Sequence, residues 1–198
     1  MQHFAEIERW ITGSLPNLSG KRVLDVGCGM GSIGFMLRQA PGGTDAWLTG
    51  ADIYQPYLDF CRRFSIYDEL LAGDVTRLDL EPFDVVVATD VLEHIERPAA
   101  DRLLARLEEL ATELVIVSTP NGPDLRPPVG DVESEAHVSV WRVGDFRRRG
   151  YDVRGIGCRL HRSCRQNHMT LAAWYVLTPM ALRVPVISGT LIAVRRTS

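Results

Sequence analysis

The sequence predicts a doubly wound α/β fold, and three observations carry that prediction. Short runs rich in Val, Ile and Leu alternate with longer segments of helical period, as in parallel strands joined by crossover helices. A glycine-rich turn follows the first run, and Asp25, Asp52 and Asp74 stand at the ends of three successive runs. In such a sheet the ligand sits beyond the carboxyl ends of the strands, so the site residues should follow strands. At 198 residues, 45% hydrophobic and 24% charged, the chain suits one domain with one continuous core. That composition excludes a disordered chain, a collagen-like fibre and a disulfide-built miniprotein.

Residues 2 to 13 read as an N-terminal helix. The seven runs are Arg22 to Val26, Ala46 to Ile53, Leu70 to Gly73, Phe83 to Ala88, Leu114 to Ser118, Tyr151 to Ile156 and Gly189 to Arg195. Val85-Val86-Val87 and Val115-Ile116-Val117 are continuous rather than alternating, as expected of strands covered on both faces. Leu103, Leu104, Leu107, Leu110 and Ala111 recur at helical spacing just after Pro98, which suits a first helical turn. Residues 119 to 137 hold four prolines and two glycines and read as a long loop, of a length that in a compact domain is usually functional or mobile; 141 to 149 read as a helix stopped by Gly150.

The first nine residues lack the basic start and apolar stretch of a signal peptide, so the expected location is the cytoplasm and the four cysteines are expected to be reduced. Pro179, Arg183, Pro185 and Gly189 interrupt the apolar stretch from Met169 to Val194, so no transmembrane helix is expected there. Charge is uneven: residues 1 to 140 carry a net −12, whereas 141 to 198 carry 11 arginines against Asp145 and Asp152, a net +9. Such a tail either attracts an anionic partner, nucleic acid among them, or decorates a solvated surface.

The segment from Val23 to Gly34 places the glycine turn between a strand and a helix, where missing side chains let backbone approach a ligand. Asp52 is placed to accept hydrogen bonds from ribose hydroxyls, which implies a nucleoside-containing cofactor. Gly29-Met30-Gly31-Ser32-Ile33-Gly34 formally matches the dinucleotide pattern, but that register leaves Gly27 unexplained. It also sets Asp25 beside a pyrophosphate, which wants positive charge. A carboxylate there suits a cationic ligand.

Through Val23 to Gly31, the chain resembles the class I S-adenosylmethionine-dependent methyltransferases, with Asp25, Gly27, Cys28, Gly29 and Gly31 falling on their first motif. Gly50-Ala51-Asp52-Ile53 is similar to their ribose-holding segment and Ala72-Gly73-Asp74-Val75 to the one meeting the adenine. Phe83 to His94, with Asp90 and Val91, is similar to the fourth-strand motif along the cofactor's amino-acid moiety. The later segments Ser118 to Gly122, His137 to Trp141, Asp145-Phe146 and Gly150-Tyr151 resemble the ubiquinone-biosynthesis O-methyltransferases in outline. The resemblance implies a Rossmann-like, seven-stranded, mostly parallel sheet with helices on both faces and an antiparallel last strand. It also implies one domain over 1–198: an N-terminal helix (1–20), a cofactor-binding half (21–118) and an acceptor-side half (119–198). S-adenosylmethionine is the implied cofactor.

The implied activity is methyl transfer to a small-molecule acceptor, by default a hydroxyl, since the chain has Thr119-Pro120-Asn121-Gly122 in place of an N-P-P-Y motif. An oxygen acceptor must lose a proton, and His137, after the long loop, and His94, close behind Asp90, are the candidate bases. Each has a structural alternative, His137 holding the loop and His94 bracing the turn after the fourth strand. The apolar 169 to 188 region suggests a partly apolar acceptor. The competing readings are an RNA or anionic-glycan acceptor, a non-catalytic module binding S-adenosylmethionine, and a NAD-dependent oxidoreductase. Cys158, His161, Cys164 and His168 are metal-ligand types at unusual spacing, and no metal is assigned. Oligomeric state is not readable from the sequence.

Overall fold

A computed structural model of the chain describes residues 2–125, 127, 136–158 and 180–197. Seven strands form one sheet in the order β3-β2-β1-β4-β5-β7-β6. They are β1 (Arg22–Val26), β2 (Trp47–Asp52), β3 (Glu69–Ala72), β4 (Phe83–Thr89), β5 (Ala111–Pro120), β6 (Asp152–Cys158) and β7 (Ser188–Arg196). β3, β2, β1, β4 and β5 pair in parallel, while β7 runs antiparallel to both β5 and β6. The Rossmann-like sheet with its antiparallel last strand is therefore the observed one. The helices are α1 (Gln2–Ser14), α2 (Ser32–Gln39), α3 (Gln55–Arg63), α4 (Arg97–Leu110) and α5 (Val143–Arg147).

Alternation along the strands divides the core between the two faces of the sheet. Leu24, Val26, Val86, Ala88, Val115 and Val117 join α4, Trp141 and Phe146 on one face. Val23, Val85, Val87, Leu114 and Ile116 join Ile11, Ile33, Met36, Leu37, Leu58 and Cys61 of α1, α2 and α3 on the other. The same alternation sends Asp25 toward α2 and α3, with consequences for the site.

Two sequence expectations require correction. Ala111 opens β5 rather than extending α4: its N–H still bonds the Leu107 carbonyl, but its backbone is extended and it pairs with Phe83. The helix expected over 141 to 149 is cut to Val143–Arg147, because Arg142 is extended as its N-cap and Gly150 turns the chain at φ +84°. The Cys158 to His168 motif falls almost wholly outside the described residues.

Candidate active site

A cleft of about 820 Å³, its open mouth included, lies beyond the carboxyl ends of β1, β2, β3 and β4. Its floor is the turn after β1. Gly27 and Cys28 both donate their N–H to the Ala51 carbonyl (2.8 and 3.1 Å), which ties the turn to β2. Gly27, Gly29 and Gly31 have φ of +67, +50 and +82°, the left-handed region where only glycine is unstrained. A Cβ on Gly27 would land on Val91 Cγ2, and one on Gly31 would lie 2.6 Å from Ile66 Cδ1. A Cβ on Gly29 would meet nothing within 4 Å. Gly27 thus lets the β4 loop close over the turn, Gly31 lets α2 start against the β3 side, and Gly29 leaves the cleft open.

Asp52 braces this floor. One carboxylate oxygen accepts the Gly29 N–H at 2.9 Å and the other the Tyr54 N–H at 2.8 Å. Beyond it, Ile53, Tyr54 and Tyr57 line the cleft, the two tyrosine rings meeting edge to face at 4.8 Å. Asp74 caps its own turn by accepting from the Thr76 N–H and hydroxyl (2.9 and 2.7 Å), and Val75 is buried against it. Asp90, after β4, adopts φ +52°, a conformation costing a non-glycine residue on the order of 1 kcal/mol. It is held there by the Ser118 carbonyl, which accepts its N–H at 3.0 Å, and by the Ser118 hydroxyl, which donates to its carboxylate at 3.2 Å.

Of the predicted cofactor residues, Gly27, Gly29, Asp52, Ile53, Asp74, Val75, Asp90 and Val91 meet around this cleft. Asp25 and Cys28 lie beneath it, and Gly31 packs behind it. Asp25 is 1% exposed; one oxygen accepts the Tyr67 hydroxyl at 2.6 Å and the other has no partner among the described residues. Burial pushes its carboxyl up to about 7, against the pull of the Tyr67 hydrogen bond and with help from the nearby Asp52 charge. Burial likewise pushes the Cys28 thiol up, and the Cys61 thiol donates to the Gly29 carbonyl at 3.3 Å. The side chains of Asp25 and Cys28 therefore support the turn from below.

The far end of the cleft is the 3-10 turn Leu92–His94. His94 lines the cleft, and its ring stands perpendicular to that of His137 at 4.7 Å. His137 is brought there by the chain around it: the N–H groups of Val138 and Ser139 both bond the Glu93 carbonyl (2.7 and 3.0 Å), and the Ser139 hydroxyl donates to the Leu92 carbonyl at 2.8 Å. The Arg97 guanidinium clamps the same segment, lying 3.9 Å over the Trp141 ring and bonding the Val140 carbonyl and Asp145. Nδ1 of His94 meets the Ala136 carbonyl at 3.1 Å. Nδ1 of His137 meets the Asp124 carbonyl at 3.0 Å and its carboxylate at 3.3 Å.

Sequence reasoning missed Tyr54, Tyr57, Ile95 and Leu103 in the cleft wall, and Glu93, Thr119 and Asp124 at its far end. Tyr54 and Tyr57 were findable, since they lie within one helical turn of each other directly after Asp52. Asp124 carries no local signal.

The cleft wall contains acidic side chains and, among the described residues, no lysine or arginine. It therefore fits a cationic sulfonium cofactor and offers no positive side chain to a pyrophosphate. Comparison with known proteins agrees. Residues 23–113 match a family described as a methyltransferase domain. The ubiquinone biosynthesis O-methyltransferase of Thiobacillus denitrificans is 34% identical over 99 residues, which are 46% of this chain and 40% of that protein. The enzyme of the same name from Bordetella parapertussis is 35% identical over 98 residues, 46% of this chain and 39% of its own. The chain thus spans about two-fifths of the length of the curated relatives it matches. Among solved structures, the magnesium protoporphyrin IX methyltransferase of Synechocystis, with bound S-adenosylmethionine, has a TM-score of 0.63 at 20% identity, covering 100% of this chain and 79% of that one. A methyltransferase from Archaeoglobus fulgidus has a TM-score of 0.62 at 17% identity, covering 98% and 92%. In its matched segment, under half of the chain, and in its strand order and the glycine turn that ends β1, the chain is similar to the class I S-adenosylmethionine-dependent methyltransferases.

Proposed function

We propose that this chain transfers a methyl group from S-adenosylmethionine to a hydroxyl of a small, partly apolar acceptor. The observation that carries the reading is one continuous cleft, walled by acids over a braced glycine turn at one end and ending in paired histidines at the other. Asp52 would hold the ribose, Asp74 and Val75 the adenine edge, and Gly27, Gly29, Asp90 and Val91 the amino-acid end. Bound there, S-adenosylmethionine supplies an electrophilic methyl: an oxygen–carbon bond forms as the carbon–sulfur bond breaks and sulfur keeps the electron pair. The protein's share is alignment at near-attack distance and removal of the acceptor proton. His94 and His137, held by carbonyl oxygens on their Nδ1 atoms, face the acceptor and serve that ionisation.

A small acceptor is supported by the relatives named for O-methylation in ubiquinone biosynthesis and by exposed apolar side chains in the segments after β5. Leu125 and Val138, next in sequence to Asp124 and His137, are 62% and 40% exposed. Val184 and Val186 are also exposed and flank Pro185, whose carbonyl accepts from Asn121 Nδ2 at 2.9 Å. An RNA acceptor is less well supported, because arginines of the basic tail are paired within the chain. Arg148 bonds Asp145, Arg149 and Arg195 bond Glu108, and Arg154 bonds Asp152. Among the described residues no helix is long and apolar enough to cross a membrane.

The test is S-adenosylhomocysteine release with panels of phenols, aliphatic alcohols, amines and RNA. Turnover with hydroxyl acceptors supports the reading. Turnover with amines or RNA alone would replace the acceptor, and binding of S-adenosylmethionine without any turnover would favour a non-catalytic module.

A further inference from the structure

We propose that Glu93, His94 and His137 form a binding site for a divalent transition metal ion, Zn²⁺ or Mn²⁺ by ligand chemistry, at the acceptor end of the cleft. Nitrogen atoms of the two imidazoles and an oxygen of the Glu93 carboxylate all lie within 4.8 Å of one another. Ligand atoms bonded to one such ion at about 2.1 Å sit roughly 3 to 3.5 Å apart, so the group contracts by about an ångström on loading. Side-chain rotation covers that distance, because the backbone of both contributing segments is already laced together. Glu93 accepts two backbone N–H bonds from the stretch that follows His137, and Ser139 bonds the Leu92 carbonyl.

The orientation of each ligand is built as metal-binding histidines are built. Donation from Nδ1 to a carbonyl oxygen fixes the tautomer whose Nε2 carries the lone pair, and both rings have that arrangement. For His137 the Asp124 carboxylate reinforces it, making an acid–imidazole–metal line. Glu93 is 2% exposed, and the Thr119 hydroxyl donates to its Oε2 at 3.0 Å. A buried carboxylate beside two imidazoles is a harder donor set than thiolates, which suits Zn²⁺ or Mn²⁺.

Three protein ligands leave positions on the ion open, and His94 is part of the cleft wall, so the open side faces the acceptor. This rests on the methyl-transfer reading: an acceptor hydroxyl in the open position becomes more acidic and releases its proton to solvent before attack. His94 and His137 then serve ionisation through the cation. The sequence alone assigns no metal to this chain. His137 lies far from Glu93 and His94 in sequence and only the fold brings them together.

Binding of Zn²⁺ and Mn²⁺ is measured by calorimetry on the metal-stripped chain. The visible spectrum of the Co²⁺-loaded protein reads coordination independently of turnover. The expected result is stoichiometric binding, weakened at least 100-fold in Glu93→Gln and in His137→Gln, with a Co²⁺ spectrum lost in both. S-adenosylhomocysteine affinity, unchanged in both variants, shows that they fold. Wild-type binding no tighter than that of the variants overturns the site, whatever the turnover assays show. Tight binding with methyl transfer insensitive to chelation overturns the acceptor role. Tight binding without turnover on any acceptor leaves the site standing and removes the methyl-transfer reading instead.

Discussion

The two ends of the cleft are built by different means. The cofactor end is made of backbone: three left-handed glycines, two N–H bonds to Ala51, and an aspartate that braces the peptide of Gly29. The acceptor end is made by side chains and carbonyls crossing from a segment distant in sequence, laced through Glu93, Ser139 and Thr119. The first should fail abruptly when a single atom is added. The second should lose strength by degrees, one hydrogen bond at a time.

The largest effect is expected at Gly27. Gly27→Ala places a Cβ on Val91 in a left-handed backbone, so either the turn or the β4 loop must move. We expect S-adenosylhomocysteine affinity to fall by at least 100-fold, about 2.7 kcal/mol, by calorimetry. Asp52→Ala removes both braces at once and should weaken the same ligand by about 10- to 50-fold while the fold persists. A Gly27→Ala protein that binds normally would mean that backbone does not shape this end.

Asn121→Ala probes the other end. It deletes the donor that holds the carbonyls of Pro185, Val186 and Ser188, and should cost about 2 to 3 kcal/mol of stability in urea unfolding. S-adenosylhomocysteine affinity should stay within about threefold, since independent sites add. A large loss of affinity would show the two ends to be coupled.

The smallest effect is expected at Asp25, which touches neither ligand region. In the folded chain this acid titrates near 7 rather than near its ordinary 3.8, so the folded state holds a proton that the unfolded chain releases. Stability of the ligand-free protein should therefore fall as pH rises from about 4 to about 7 and level off above that. Asp25→Asn should flatten the slope in melting curves. An unchanged slope would locate the pH dependence elsewhere.

The same contrast explains what the sequence made legible. The cofactor end is local: Gly27 to Gly31, Asp52, Asp74 and Asp90 each follow a strand directly, so a strand pattern and a glycine spacing suffice to bring them together. Asp25 and Cys28 belong to the right motif, but strand alternation and the turn beneath Gly29 carry their side chains away from the cleft. At the acceptor end, His94 and His137 were recognisable as chemistry. Their perpendicular contact, the Asp124 partner of His137 and the role of Glu93 depend on a tertiary crossing that no spacing encodes. The end of α4 differs from its sequence pattern for a related reason, since pairing with Phe83 overrides the helical periodicity at Ala111.

The most direct test of the central claim is calorimetric titration of the purified chain with S-adenosylhomocysteine and with NAD, alongside Asp52→Ala. The account predicts micromolar binding of S-adenosylhomocysteine, weakened in the variant, and no heat from NAD. Binding of NAD with none of S-adenosylhomocysteine would contradict it, and would mean that the acidic wall around Asp52, Asp74 and Asp90 has been assigned to the wrong cofactor.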